Sequence, residues 1–306
     1  MADARPPIPM PVQREIRQRC GFGCVVCGCP LYEYHHMVRY DESKPHVADE
    51  ITLLCDRHHK ESTNLLLTVG QITAANANPS NVENGISSPY ALHFEGDACT
   101  CVIGQNRFTS ALRDVNNVAI LIPISIDDTD LLYFTIDPEG NLFLDATILD
   151  ECNSPLLIIV ENRLAYRTQT WDIDFRGSTL TVREAARKIF FEITFEPPSQ
   201  ITISRARLLC NGVELLVRKG HIFVVNSGTL YVGNSFENCP AGIIIGRNQR
   251  QLRCAVRVKP EIVKRNYMPR KEVIQRERKV LRRRRGSLAD TKEILGALGS
   301  SLDEAT

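Results

Sequence analysis

From residue 90 onward the chain is written in short apolar runs. "NVAILIPISI", "LLYFTID", "NLFLDATI", "IFFEITF", "ITISRARLL", "VELLV", "HIFVV" and "GTLYV" are rich in β-branched or aromatic residues, and many are bounded by Gly, Asn, Asp or Pro. This rhythm predicts a mainly β region over 90–250. "TVREAARKIF" stands out within it as a single helical interruption. Between Ile201 and Gly246, short runs alternate with Asn-Gly, Lys-Gly and Ser-Gly turns. Two architectures fit: rungs of a β-solenoid, slightly preferred, or hairpins of a sandwich.

Before residue 90 the period changes. "PVQREIRQRC" puts Val12, Ile16 and Cys20 on one face of a short helix that starts near Pro11. "EYHHM" and "EITLLC" read as two strands, and Cys55 opens the helical "CDRHHKEST". "LLLTVGQITAANANPSNVENGISS" reads as a helix that frays into a loop over Asn76 to Ser88, where turn formers collect. After Arg247 the chain turns polar and basic, and "RKEVIQRERKVLRRRRGS" is compatible with a helix. The expected fold is α+β: a small module at 1–75, a solenoid-like or sandwich β domain at 90–250, and a basic tail at 251–306, partly helical or disordered.

Composition adds three constraints. With 306 residues, 43% of them hydrophobic, there is material for one large or two ordinary domains. No run of about 18 apolar residues suggests a membrane span, and "MADARPPIPMPVQREIRQRC" lacks the apolar core of a secretory signal. Cys20, Cys24, Cys27 and Cys29, four of eleven cysteines, crowd together close to histidines. In a chain without a signal that favours metal binding in a reducing, cytoplasmic compartment over a disulfide framework. The net charge of +1 hides an asymmetry: Arg253 to Arg285 holds 14 Lys or Arg against 3 Glu, a balance of +11, which leaves −10 for the rest. Such an arm faces water or a polyanion. Arg282, Arg283, Arg284 and Arg285 are its densest part, with Arg39 and the arginines at 14, 17 and 19 as further candidates for phosphate contacts.

The candidate chemistry lies between residues 20 and 61. Cys24 and Cys27 have the two-residue spacing of a zinc knuckle, and Cys55 with His58 supplies a second pair. Together they would close a structural Zn2+ site around a module too small to hold itself by burial. Cys20 and Cys29 are less well placed alternatives. His58 shares a helical face with Cys55, while His59 is turned about 100° away. His35 and His36 are adjacent, so in a regular strand they face opposite sides.

"CGFGCVVCG", "EYHHM" and "EITLLCDRHH" together resemble the HNH endonucleases, whose active site is a ββα-metal fold. The likeness covers residues 12 to 62, and the whole chain resembles bacterial proteins that carry this signature ahead of a β-rich region. The resemblance implies a metal-dependent enzyme that hydrolyses DNA phosphodiester bonds and leaves a 5′-phosphate. His36 would be the general base, and His35 and His59 would hold a catalytic divalent ion. The family's central Asn is replaced by Glu50, a residue that can still ligate a cation. The ion would be Zn2+, Ni2+, Mn2+ or Mg2+. The same replacement keeps a second expectation open, a non-cleaving zinc module that docks nucleic acid or protein. The β domain is the expected place for a regulatory partner or a homo-oligomer contact.

Overall fold

A computed structural model describes residues 6–38, 46–247, 249–250 and 253–284. The N-terminal part opens with helix α1, Met10–Arg19, begun by a proline in its first turn and ended with Arg17 and Arg19 in its last. Basic residues there complement the helix dipole. Strands β1, Glu33–His36, and β2, Ile51–Leu54, pair antiparallel, with His36 opposite Ile51 and Glu33 opposite Leu54. Helix α2, Asp56–Thr63, follows β2 directly with Cys55 at its N-cap. Helix α3, Val69–Ala77, starts at a capping box between Thr68 and Gln71.

The loop expected over Asn76 to Ser88 is in part a further helix, α4, Ser80–Asn84. Pro79 restarts the chain as a helix and Gly85, at φ +70°, ends it. Ile16, Cys20, Cys24, Val25, Ile51, Leu53, Leu54, Cys55 and Ile72 form the apolar cluster of this part.

The remainder is built from two sheets that bury one large core between them. Five consecutive strands, Ala119–Ile126, Thr129–Ile136, Leu142–Leu149, Pro155–Val160 and Arg163–Tyr166, form an antiparallel meander in the first sheet. Ala241–Ile245 and Cys254–Val258 extend one edge in parallel. The second sheet is a meander that runs from Asp172–Arg176 to Thr229–Val232. Its longest strand, Gln200–Cys210, pairs in parallel with Cys99–Ile103 through its first residues and antiparallel with Val213–Arg218 through its last.

Two expectations fail here. Residues 201–246 are not solenoid rungs, because most strands pair antiparallel with their sequence neighbours. The reason is local. Asn211 and Gly212 both have positive φ, and so do Lys219 and Gly220, as a type I′ hairpin turn requires. Nor is "TVREAARKIF" a helix. It is split between strands Thr179–Ala185 and Lys188–Glu196, with Arg187 turning the chain at φ +60°. Phe191, Ile193 and Phe195 are buried in the core, and that packing overrides the helix propensity of the Ala-Ala-Arg-Lys stretch.

Residues 270–284 of the basic arm form a helix laid on the second sheet. Val273 joins Leu216, Phe223 and Val225 in an apolar cluster. Glu277, fully buried, takes a hydrogen bond from Arg218 Nε at 3.2 Å and lies 2.6 Å from His221 Nε2. Burial pushes the Glu277 carboxyl up, but the His221 and Arg218 hydrogen bonds outweigh it and hold the pKa below the ordinary value of 4.5. Its contribution is therefore complete above that value and is lost as pH falls through the lowered one. Glu277→Gln should loosen this docking by roughly 1.5–3 kcal/mol, the worth of a hydrogen bond to a charged group. The measurement is amide exchange at 270–284. Equal protection in both proteins would show that the apolar contacts suffice.

Candidate metal centre

The knuckle between Cys24 and Gly28 is a tight turn. Gly28 N donates to the Cys24 carbonyl at 2.7 Å, and Cys24 N donates to the Cys29 carbonyl at 2.9 Å. Gly28 sits at φ +75°, and a Cβ there would lie 2.2 Å from Asn81 Oδ1, so no other residue fits without displacing Asn81. Asn81, buried on α4, donates to the Gly21 carbonyl at 2.9 Å and underpins the turn. Helix α2 brings the second half of the site: Cys55 at its N-cap turns its sulfur toward the knuckle, and His58 follows one turn on.

Ligand atoms of Cys24, Cys27, Cys55 and His58 all lie within 4.8 Å of one another. His58 Nδ1 is 3.3 Å from both Cys24 Sγ and Cys55 Sγ, and Cys27 Sγ is 3.8 Å from Cys55 Sγ. A tetrahedral zinc with ordinary bond lengths needs about 3.8 Å between sulfurs and about 3.6 Å from sulfur to nitrogen. The donor set therefore fits a metal such as zinc.

Its electrostatics agree. The Cys27 hydrogen bond and then burial push Cys24 up to about 12, and burial raises Cys55, whereas the Cys24 hydrogen bond favours the Cys27 thiolate. Three crowded thiols cannot all ionise without a cation among them. On the far side of the ring, His58 Nε2 lies 3.8 Å from a Glu61 carboxylate oxygen. Cys20 and Cys29 stand outside the group; Cys20 faces Thr52 and Asn76 instead.

The other four histidines of the N-terminal part fall into two pairs. His35 and His59 meet edge to face, ring centroids 5.1 Å apart, and Ser62 Oγ lies 3.4 Å from His35 Nε2. Burial first, then His59 and His36, lowers the pKa of His35. His59 Nδ1 is 3.8 Å from a Glu33 carboxylate oxygen. His36, the last residue of β1, turns to His46, with 3.3 Å between His36 Nε2 and His46 Nδ1. His46 Nε2 in turn lies 3.0 Å from the Pro6 carbonyl. Glu50 is exposed at the end of a 3-10 turn, where its carbonyl accepts from Met37 N at 2.8 Å. Among the described residues, no second group of three or more His, Cys, Asp or Glu side chains that could hold a metal is present, so Glu50 is not gathered with His35 and His59.

The arginines divide as well. Arg17 is fully buried and grips Asp172 through Nε and a terminal nitrogen, both at 2.9 Å, while its other terminal nitrogen donates to Tyr34 Oη at 2.9 Å. Burial opposes its charge, but the Asp172 hydrogen bond and the neighbouring acids raise its pKa. Arg14 stacks 4.4 Å from the centroid of Trp171, and Arg19 binds Asp49 at 3.0 Å and the Ala48 carbonyl at 2.9 Å. These three fasten α1 in place and are taken up by protein partners, contrary to their expected service on phosphates. Arg282, Arg283 and Arg284 are exposed on the docked helix, whereas Arg39 and Arg285 lie outside the described residues.

Asn81, Asp172 and Tyr34 carry no motif, and the contacts they make span 60, 155 and 17 residues. Comparison with family models, with curated proteins and with solved structures finds no match for this chain.

Proposed function

We propose that the N-terminal part is a metal-dependent endonuclease of the HNH kind, with DNA as substrate and His36 as general base. The observation that carries this reading is the sorting of the histidines around one hairpin and helix. His58 goes to the thiols, His35 and His59 meet each other, and His36 sits apart at the strand end.

His35 and His59 would hold a divalent ion, which supplies Lewis-acid polarisation of the scissile phosphate when bound. His36 takes the proton from the attacking water. Its hydrogen-bond chain favours one tautomer. A carbonyl only accepts, so a neutral His46 donates from Nε2 to Pro6 and accepts at Nδ1 from His36 Nε2–H. In this chain His46 acts as a positioning residue for His36.

The test is nicking of supercoiled plasmid across Mg2+, Mn2+, Ni2+ and Zn2+. His36→Ala should cut roughly 10²- to 10⁴-fold more slowly, the usual worth of a general base, with its structural metal retained. Equal cutting by both proteins would sink the mechanism. The exposure of Glu50 supports a second reading, a zinc module that docks nucleic acid or protein without cutting. Under it, the native protein stays silent with every metal while still binding its partner.

A further inference from the structure

A different part of the molecule gathers positive charge. Where the second sheet meets the start of helix 270–284, a hollow of about 470 Å³ is lined by Arg187, Arg205, Arg218, Lys219 and Arg270, with no carboxylate among its lining residues. Each strand contributes through an irregularity. Arg187 is the turn between strands Thr179–Ala185 and Lys188–Glu196. Arg205 lies where the pairing of Lys188–Glu196 with Gln200–Cys210 skips a residue. Lys219 belongs to the Lys-Gly turn described above.

Two of the five cations are already engaged: Arg218 by Glu277, and Arg270 by Glu184 and the Ile189 carbonyl. The acid that pairs in register with Arg205, Glu192, is held by Ser204 and Thr181. Arg187, Arg205 and Lys219 are exposed and have no anionic partner among the described residues. Some other arginines of the β region rest on carboxylates, as Arg207 does on Glu214 and Arg250 on Asp130.

The charge continues along the helix. Arg276, Lys279 and Arg283 line a second hollow with Ser227, Gly228 and one acid, Glu272, and Arg278 and Arg282 line a third. Fifteen helical residues extend about 22 Å, the rise of about six base pairs of duplex. A row of basic hollows over that length suits a repeating anion better than a single one.

We propose that this hollow binds backbone phosphates of a DNA duplex and that helix 270–284 prolongs it into a track along the β region. The surface is sequence-blind, because phosphate contacts set position and not base choice. It is separate from the histidine site and stands whether or not that site cuts.

The experiment is anisotropy of a labelled 30-base-pair duplex with the full chain over a series of salt concentrations, without divalent metal. The triple variant Arg187→Ala/Arg205→Ala/Lys219→Ala should bind about 10- to 100-fold more weakly at 0.1 M salt. The slope of log K against log salt should shrink by roughly two to three, close to one per lost phosphate contact. Its melting temperature should not change, since the three side chains are exposed and unpaired. Arg163→Ala/Arg167→Ala/Lys259→Ala removes the same charge outside the hollow and should change affinity much less. Equal losses in the two triple variants would reduce the effect to net charge and overturn the site. So would an unchanged slope in the first variant. Saturable ATP binding that the first variant abolishes while duplex affinity stays the same would assign the hollow to a small nucleotide and overturn the track.

Discussion

Cys55→Ser should cost the protein one bound metal and unfold its N-terminal part, while the two sheets persist. Cys55 is both a member of the thiol and imidazole group and the N-cap of α2. Its loss opens the clamp that ties the start of the helix carrying His58 and His59 to the knuckle; the cap itself is not lost, since Cys55 makes no side-chain cap hydrogen bond and Ser is a favoured N-cap. Structural zinc in isolated fingers has an apparent binding free energy of about 10–16 kcal/mol, far more than one cap or one core contact supplies. The shared apolar cluster of α1, β2 and α3 gives some independent support, so the unfolding should be local and not global. Zinc content and limited proteolysis check this. Cuts should appear before residue 90 and spare the region after it. A Cys55→Ser protein that stays intact without metal would remove the structural role of the site.

The second large effect is expected at Arg17. Arg17→Met takes from Asp172, 1% exposed, the two Arg17 nitrogens that bond it at 2.9 Å, and leaves it the longer Arg183 hydrogen bond. Breaking one side of a buried ion pair costs about 3–5 kcal/mol, because the remaining charge stays in a dry site. Arg183 at 3.4 Å and Arg14 at 3.7 Å still face the carboxylate and place the expected loss near the lower end, about 3 kcal/mol. Replacing both partners should recover part of it: Arg17→Met with Asp172→Leu removes the fully buried pair, although Arg183 and Arg14, both partly exposed, lose this carboxylate and Asp174 is left with Arg176. Urea unfolding of the single and double variants measures the difference. A double variant no more stable than Arg17→Met would mean that the arginine acts through packing alone.

The metal group was readable from spacing, because Cys24–Cys27 and Cys55–His58 are local pairs and the metal dictates their geometry. Alternation of apolar residues likewise announced most strands. The exceptions have physical causes. Asn-Gly and Lys-Gly turns suit either architecture, and only strand pairing in space separates meander from solenoid. The Ala-Ala-Arg-Lys stretch speaks for helix by propensity, and Phe191 against the opposite sheet decides otherwise. The partnership of Arg17 with Asp172 was invisible, since each looks like an ordinary surface charge in its own neighbourhood. The role of Asn81 lay in a segment that composition marked as loop.

The same ion pair sets an order of events during synthesis. Arg17 and Asp172 are 155 residues apart, and Tyr166 Oη donates to the Phe22 carbonyl across 144 residues. At roughly 5–20 residues per second, a ribosome needs on the order of 10 to 30 seconds to deliver the acid after the arginine has emerged. Until then Arg17 lacks its carboxylate and, among the described residues, only Arg19, through Asp49, pairs α1 with an acid nearby in sequence, whatever metal the cysteines have already captured. A nascent chain, or a fragment cut near residue 90, would therefore carry the thiols and histidines beside an α1 still free to shift. The end that carries the thiols and histidines, made before the two sheets, would be among the last parts to lock.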